Sequence, residues 1–212
     1  MRRPLRQVVV VALCLLITAS AVLFVARSRR GVTDLAFWYE PIGDDTRKTL
    51  PVRFAGALSA DELSAIEIIS KDEIVRAFRE YPVQIVGRTS AMYRVRVVDT
   101  IASSETASGE SYILPGLGGQ GFVNFRLLAH GAVTYAPADA SHDEIVEAIG
   151  RGIGRAAVHE FVHQLLGRSA PIDDSTDVQS YEYGSANRRE QYYGPMRWEI
   201  AAPMLRKRFG SE

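Results

Sequence analysis

The chain has 212 residues, which is enough for one or at most two compact domains. Six of its 25 basic residues, and none of its 25 acidic residues, lie within residues 1–30, so residues 31–212 carry a net charge of −6. An acidic domain without a basic stripe argues against nucleic acid as a partner. The single cysteine, Cys14, excludes a disulfide within the chain.

An uncharged apolar segment runs from Gln7 to Ala26 and has arginines on both sides. Its length is sufficient to span the core of a bilayer. We expect residues 1–30 to form an uncleaved signal-anchor of a single-pass membrane protein, with the folded domain outside the cytoplasm. Ala19-Ser20-Ala21 has the small-x-small form of a signal-peptidase site, so secretion after cleavage is the alternative. Residues 31–57 are then a juxtamembrane segment.

The next part of the chain is predicted to contain one helix and several strands. Ser59 and Glu62 form a capping-box pattern, which predicts a helix that continues to about Tyr81. Residues 102–111 are predicted to be an exposed loop, and residues 115–121 a glycine-rich hairpin turn. Four stretches have the composition of strands: Val83–Val86, Met92–Val98, Gly121–Leu128 and Ala132–Ala136.

The C-terminal third is predicted to be helical. A second capping box at Ser141 begins a long helix that ends near Gly167. A further helix is expected from about Asp177 to Tyr193, and a last amphipathic helix ends in Arg206-Lys207-Arg208. The order of helix, strands and further helices predicts that residues 58–212 form an α+β domain, in which a small mixed sheet packs on the helix that begins at Ser141.

That long helix contains the sequence His159-Glu160-Phe161-Val162-His163, which has the form H-E-x-x-H. Positions i and i+4 of a helix project from the same face, so both imidazoles can reach one small cation. Glu160 lies beside them, where its carboxylate can hold a water molecule. The spacing therefore predicts a hydrolytic metal site with Zn²⁺ as the cofactor.

The rest of the helix supports a metal site over an ordinary solvated face. On a helical wheel its last two turns have a polar arc that holds only the motif residues and Gln164. Buried polar groups need partners, and one cation would satisfy two imidazoles and a carboxylate together. The opposite ridge is apolar throughout: Ile145, Ile149, Ile153, Ala157, Phe161 and Leu165.

A possible third ligand, Glu182, follows His163 after a spacer of eighteen residues. Over about residues 140–190, this pattern resembles the gluzincin group of zincin metallopeptidases. The resemblance implies a zincin-like fold, with His159, His163 and Glu182 as zinc ligands and Glu160 as general base. Three other carboxylates compete for the role of third ligand: Asp173, Asp174 and Asp177.

The expected function is that of a membrane-anchored zinc metallopeptidase acting on a peptide or protein substrate. Gluzincins commonly use a Tyr or His to hydrogen-bond the oxyanion, and four tyrosines lie nearby: Tyr181, Tyr183, Tyr192 and Tyr193. The stretch Gly121–Leu128 is a candidate edge strand with which an extended peptide could pair. The alternatives are a non-catalytic binding module and a zinc amidase that acts on a non-peptide or cell-wall substrate.

Overall fold

The computed structural model of the chain describes residues 31–114, 117–167, 170, 181, 185–197 and 199–210. Within these residues the domain has a five-stranded mixed sheet and five α-helices, an architecture that agrees with the predicted α+β class. The predicted membrane anchor, residues 1–30, lies outside the described residues. No described helix is both long enough and apolar enough to cross a membrane.

The strands are β1 (Thr33–Tyr39), β2 (Val83–Ile85), β3 (Tyr93–Val98), β4 (Gly109–Leu114) and β5 (Gly118–Asn124). The helices are α1 (Asp44–Lys48), α2 (Ala60–Phe78), α3 (Phe125–Thr134), α4 (His142–Leu166) and α5 (Ala201–Phe209), with short 3-10 turns at Val52–Phe54 and Arg189–Gln191. The sheet order is β2-β1-β3-β5-β4. Strands β1, β3 and β5 are mutually parallel, and β4 lies antiparallel to β5 at one edge.

The core lies between this sheet and the long helix α4. The inward-facing side chains of the three parallel strands are buried and apolar: Leu35, Phe37, Val95, Val97 and Val123. They join the apolar ridge of α4 in one hydrophobic cluster. Burial of this ridge at about 25 cal/mol per Å² of apolar surface is the main force that holds α4 against the sheet.

Helix α2 packs along the other side of α4. The Ser70 hydroxyl donates to the carbonyl oxygen of Gly150 at 2.9 Å, and it lies 2.7 Å from the hydroxyl of Tyr39 in β1. A Cβ atom at Gly154 would lie 2.7 Å from the carbonyl oxygen of Ser70. Glycine on α4 therefore allows the two helix backbones to approach closely, and this contact fixes α4 between α2 and the sheet.

Both predicted capping boxes are present. The Ser59 and Ser141 hydroxyls accept from the backbone N–H groups of Glu62 and Glu144, whose side chains accept in return from the N-cap backbones. The predicted end of α4 is also confirmed, because Gly167 is its C-cap with a φ of +59°.

The segment predicted to be juxtamembrane contains a strand of the sheet. Residues 33–39 form β1, which pairs with β3, so the folded unit starts well before residue 58. The aromatic run Phe37-Trp38-Tyr39 alternates between the two faces of β1, with Phe37 buried in the core.

Three further predictions between residues 102 and 136, namely the loop 102–111 and the strands Gly121–Leu128 and Ala132–Ala136, are wrong in part. Residues 109–111, the end of the predicted loop 102–111, belong to the edge strand β4 (Gly109–Leu114). Gly121–Leu128, predicted to be an edge strand, contains the last four residues of the interior strand β5 and the first turn of α3. Residues 125–134, partly predicted as strand, form α3, whose N-cap Asn124 accepts from the Leu127 backbone N–H at 3.1 Å. Its buried residues follow helical spacing: Leu128, Ala129, Ala132 and Val133.

The helix predicted from Asp177 to Tyr193 is wrong in the part that the structure describes. Residues 185–188 are not helical, and residues 189–191 form one 3-10 turn. The last predicted helix is confirmed as α5.

Candidate metal centre

The H-E-x-x-H motif lies in the last two turns of α4, where the helix is almost entirely enclosed. His159 is 8 % exposed and Glu160 is 3 % exposed. The imidazole rings of His159 and His163 have centroids 4.8 Å apart and planes at 86° to each other. The two rings therefore lie next to each other on one side of the helix, as the spacing predicts.

One ring nitrogen of His159 already has a partner. Its Nδ1 lies 3.3 Å from the backbone carbonyl oxygen of Tyr181, a buried contact. In the tautomer that carries the proton on Nδ1, this nitrogen donates to the carbonyl and leaves the lone pair on Nε2. A metal-binding histidine is typically oriented by such a hydrogen bond from its other nitrogen.

Tyr181 is held in turn by α2. Its hydroxyl donates to Oε1 of Glu73 at 2.8 Å, and its backbone N–H donates to the carbonyl oxygen of Arg197 at 3.1 Å. Burial, and then the neighbouring Glu73 carboxylate, raise the pKa of Tyr181 well above its ordinary value. The phenol therefore remains a hydrogen-bond donor throughout the physiological pH range. Hydrogen bonds from the side-chain hydroxyl and from the backbone N–H of Tyr181 together fix the position of the carbonyl that contacts His159.

Glu73 is 2 % exposed and is paired with Arg155, which is 4 % exposed. The Nε of Arg155 donates to Oε1 of Glu73 at 3.0 Å. Its other nitrogens donate to the carbonyl oxygens of Glu190 at 3.0 Å and Gly194 at 2.7 Å. This ion pair connects α2, α4 and the loop after Tyr181, and it satisfies charges that would be costly to bury alone.

The edge strand β4 lies directly against the central glutamate. A Cβ atom at Gly109 would overlap Oε1 of Glu160 and would lie 2.8 Å from its Cδ. Two residues further along β4, the hydroxyl of Ser111 donates to the backbone carbonyl of Glu160 at 3.1 Å. A side chain at position 109 would overlap the Glu160 carboxylate in its observed position, so glycine lets the backbone of the edge strand run beside it.

Gln164 attaches the end of α4 to the sheet. Its Oε1 accepts from the backbone N–H of Arg94, and its Nε2 donates to the Arg94 carbonyl, both at 3.1 Å. Its side chain occupies the space beside Gly119 and Gly121 of β5. Gln164, the only residue of the polar arc outside the motif, therefore has a structural role.

Three of the four tyrosines considered as oxyanion donors have hydroxyls that donate elsewhere. Tyr181 donates to Glu73, Tyr192 to the carbonyl oxygen of Ala186 at 2.9 Å, and Tyr193 to that of Ala132 at 2.9 Å. Tyr183 lies outside the described residues. The ring of Tyr192 also packs on Gly152, so it fills the space that a small residue at that position leaves beside the motif.

The predicted third ligand, Glu182, lies outside the described residues, as do the competing carboxylates Asp173, Asp174 and Asp177. Among the residues that the structure does describe, no three His, Cys, Asp or Glu side chains are grouped closely enough to hold a metal ion. The described part of the site nevertheless fits zinc in its donor chemistry, because it supplies two adjacent imidazoles, one with its Nδ1 beside a carbonyl.

The local sequence gives no signal for the roles that Tyr181, Glu73 and Gly109 have around the motif. Glu73 and Tyr181 are 108 positions apart, and Gly109 lies within a stretch rich in Ser, Thr and Gly that is typical of loops. Each residue acquires its role through the packing of separate elements. Comparison of the chain with family models, with curated proteins and with solved structures yields no match.

Proposed function

We propose that this protein is a membrane-anchored, zinc-dependent metallopeptidase. The observation that carries the proposal is the pair of imidazoles on α4, whose ring centroids lie 4.8 Å apart, together with the Glu160 carboxylate enclosed beside Gly109. His159 and His163 would hold the ion, with Glu182 as the proposed third ligand. The gluzincin resemblance supports this assignment. The anchor in residues 1–30 and an extracytoplasmic location for the domain are parts of the same proposal.

Each residue of the motif has a distinct part in the reaction. Zinc, when bound, supplies a Lewis acid that polarises the scissile carbonyl and makes water a stronger acid. Glu160 accepts the proton from the attacking water and passes it to the leaving amine. Because Gly109 places a strand backbone against the carboxylate, the positions open to Glu160 are few, which favours a fixed proton acceptor.

The edge strand β4 is the proposed binding surface for the peptide substrate. Its outer edge can form backbone hydrogen bonds with an extended peptide. Pairing there would bring a substrate backbone close to Glu160, because Gly109 belongs to β4 and contacts this carboxylate. Sequence reasoning assigned this role to Gly121–Leu128, but β5 is paired on both sides and has no open edge.

The test combines metal analysis with peptide cleavage by the purified full-length protein. We expect stoichiometric zinc and cleavage of a mixed peptide library. Glu160→Gln should keep zinc while cleavage falls by roughly 10²- to 10⁴-fold, since the proton acceptor is lost. His163→Ala should lose zinc. His130→Ala is the matched control, because His130 is exposed on α3, and it should change neither quantity.

The outcomes separate the alternatives. Wild-type protein without zinc would contradict the proposal altogether. Zinc without cleavage of any peptide, and no effect of Glu160→Gln, would identify a binding module instead. Cleavage confined to cell-wall fragments would identify a zinc amidase. Loss of zinc in Asp174→Ala or Asp177→Ala, but not in Glu182→Ala, would assign the role of third ligand to that aspartate in place of Glu182.

A further inference from the structure

The outer face of the sheet, opposite α4, has a row of arginine and aromatic side chains. Trp38 of β1 pairs in register with Arg96 of β3, and Arg96 pairs with Phe122 of β5. Arg94 lies on the same face of β3, two residues before Arg96. Arg88, in the loop between β2 and β3, reaches over Trp38. These five residues form what we call the arginine groove.

Two of the three guanidinium groups lie over aromatic rings. The Cζ of Arg88 lies 5.0 Å from the centroid of the Trp38 ring, and that of Arg96 lies 4.6 Å from the centroid of Phe122. A guanidinium that already packs over an aromatic ring loses little further freedom when it binds a ligand. Its N–H groups lie at the edge of the plane, in the fork geometry that matches two oxygens of a carboxylate or phosphate.

The charge of the groove differs from that of the domain around it. Residues 31–212 have a net charge of −6, yet neither Arg88 nor Arg94 has a carboxylate within ion-pair distance in the described part of the chain. Only Arg96 has one, with its Nη1 3.5 Å from Oε1 of Glu40. The same Glu40 oxygen accepts from the Trp38 indole N–H at 2.9 Å.

Glu40 remains ionised beside the groove. The Trp38 hydrogen bond, followed by the charges of Arg88 and Arg96, lowers the pKa of Glu40. Three arginines and one carboxylate thus leave two positive charges in a small volume. A dianion would neutralise them, whereas chloride or a single carboxylate would leave one charge uncompensated.

The size of the groove suits a small molecule. Its volume is about 510 Å³, and its lining also includes Thr89 and Gln120. This volume lies within the range of small-ligand sites, which is roughly 300 to 1,000 Å³. The hydroxyl and amide of these two residues add polar groups to a wall that is otherwise cationic and aromatic.

We propose that the arginine groove binds the phosphate group of a small phosphate monoester, with Arg88, Arg94 and Arg96 as the groups that recognise it. This site lies on the face of the sheet opposite the proposed metal centre. It needs neither zinc nor the gluzincin resemblance, so it stands or falls separately from the peptidase proposal.

Calorimetric titration of the full-length protein with phenyl phosphate tests the site, at an ionic strength held constant with chloride. We expect saturable binding of one molecule per chain. Arg88→Gln and Arg94→Gln should each raise Kd by roughly tenfold or more, because each removes a charge-assisted hydrogen bond. Phenol, which has the same ring without the phosphate, should not bind measurably.

Arg79→Gln is the matched control, because it removes the same charge at a side chain that is 71 % exposed and outside the groove. It should leave Kd unchanged. Arg88→Gln should retain the zinc content and peptide cleavage of the wild type. Absence of saturable binding to the wild type, or equal weakening by Arg79→Gln and Arg88→Gln, would overturn the proposal.

Discussion

At the scale of single residues, Tyr181 links the motif to the rest of the fold. Its carbonyl contacts Nδ1 of His159 and its hydroxyl donates to Glu73. Tyr181 therefore connects the buried ion pair of Glu73 and Arg155 to the imidazole of His159 through hydrogen bonds. Hydrogen-bond partners of metal-binding histidines fix the tautomer and the ring orientation, and their loss commonly weakens metal binding.

Tyr181→Phe should reduce zinc affinity without abolishing it. The substitution keeps the backbone carbonyl but removes the hydroxyl that anchors it, so His159 is held less firmly. We expect Kd for zinc, measured by competition with a chromophoric chelator, to rise by roughly tenfold, the lower end of such effects. The control is Tyr193→Phe, which removes a hydroxyl that donates to Ala132 on α3. Equal zinc affinity in both variants would show that Tyr181 does not position His159.

At this scale the sequence predicts part of the site. The two histidines and Glu160 lie within five consecutive residues of one helix, so their spatial relation follows from helix geometry alone. Tyr181 and Glu73 meet only because α2 packs on α4 and the later chain returns to both. No local pattern specifies such an encounter, because it depends on how distant elements pack.

At the scale of elements, the contact between β4 and α4 places the edge strand beside Glu160, the proposed general base. Gly109 and Ser111 face α4, and both are small enough to let the strand lie against the helix. The same small residues make the stretch typical of a loop, which explains why sequence reasoning missed β4. Small residues at these positions are needed for the close contact with α4, and the same residues make β4 look like a loop in the sequence.

Gly109→Ala should impair catalysis and leave metal binding intact. The added Cβ would overlap the Glu160 carboxylate, so either the carboxylate or the strand must move. A displacement of about 1 Å at a catalytic group can cost about 10²-fold in rate, and we expect a loss of that order in kcat/KM for peptide cleavage. Zinc content should remain stoichiometric, because the three atoms nearest to an added Cβ at this position all belong to Glu160.

A matched control for this substitution is Gly87→Ala. An added Cβ at Gly87 has no atom within 4 Å, so kcat/KM should stay at the wild-type value. If Gly109→Ala were as active as Gly87→Ala, the strand would not constrain Glu160, and the role given to β4 would need revision.

Elements with strong local signals are predicted best. Both capping boxes and the C-cap glycine of α4 were predicted, since each rests on contacts within four residues of the chain. The sheet was predicted only in part, because β1 and β4 depend on pairing with distant strands. In α3 the sequence predicts strand in part, although the apolar residues repeat at the helical spacing of three to four: Leu128, Ala129, Ala132 and Val133.

At the scale of the whole molecule, α4 is the element around which the domain is organised. It contacts β3, β4, β5 and four other helical segments, including the 3-10 turn at Arg189–Gln191. The proposed ligands His159 and His163 lie on this helix, and Glu182 belongs to the segment after it. An ion held by both would join the central helix to a later part of the chain, and its binding energy would then add to the stability of the fold.

We therefore expect the melting temperature to depend on zinc. An ion that binds only the folded state stabilises it by about 4 kcal/mol at a free concentration of roughly 1,000 times Kd. For a domain of this size, each kcal/mol corresponds to about 2–4 °C. Removal of zinc by a chelator should thus lower the melting temperature by about 10 °C, and added zinc should restore it. In His163→Ala the chelator should have no effect. A wild-type melting temperature indifferent to chelation would mean that no ion links α4 to the segment after it.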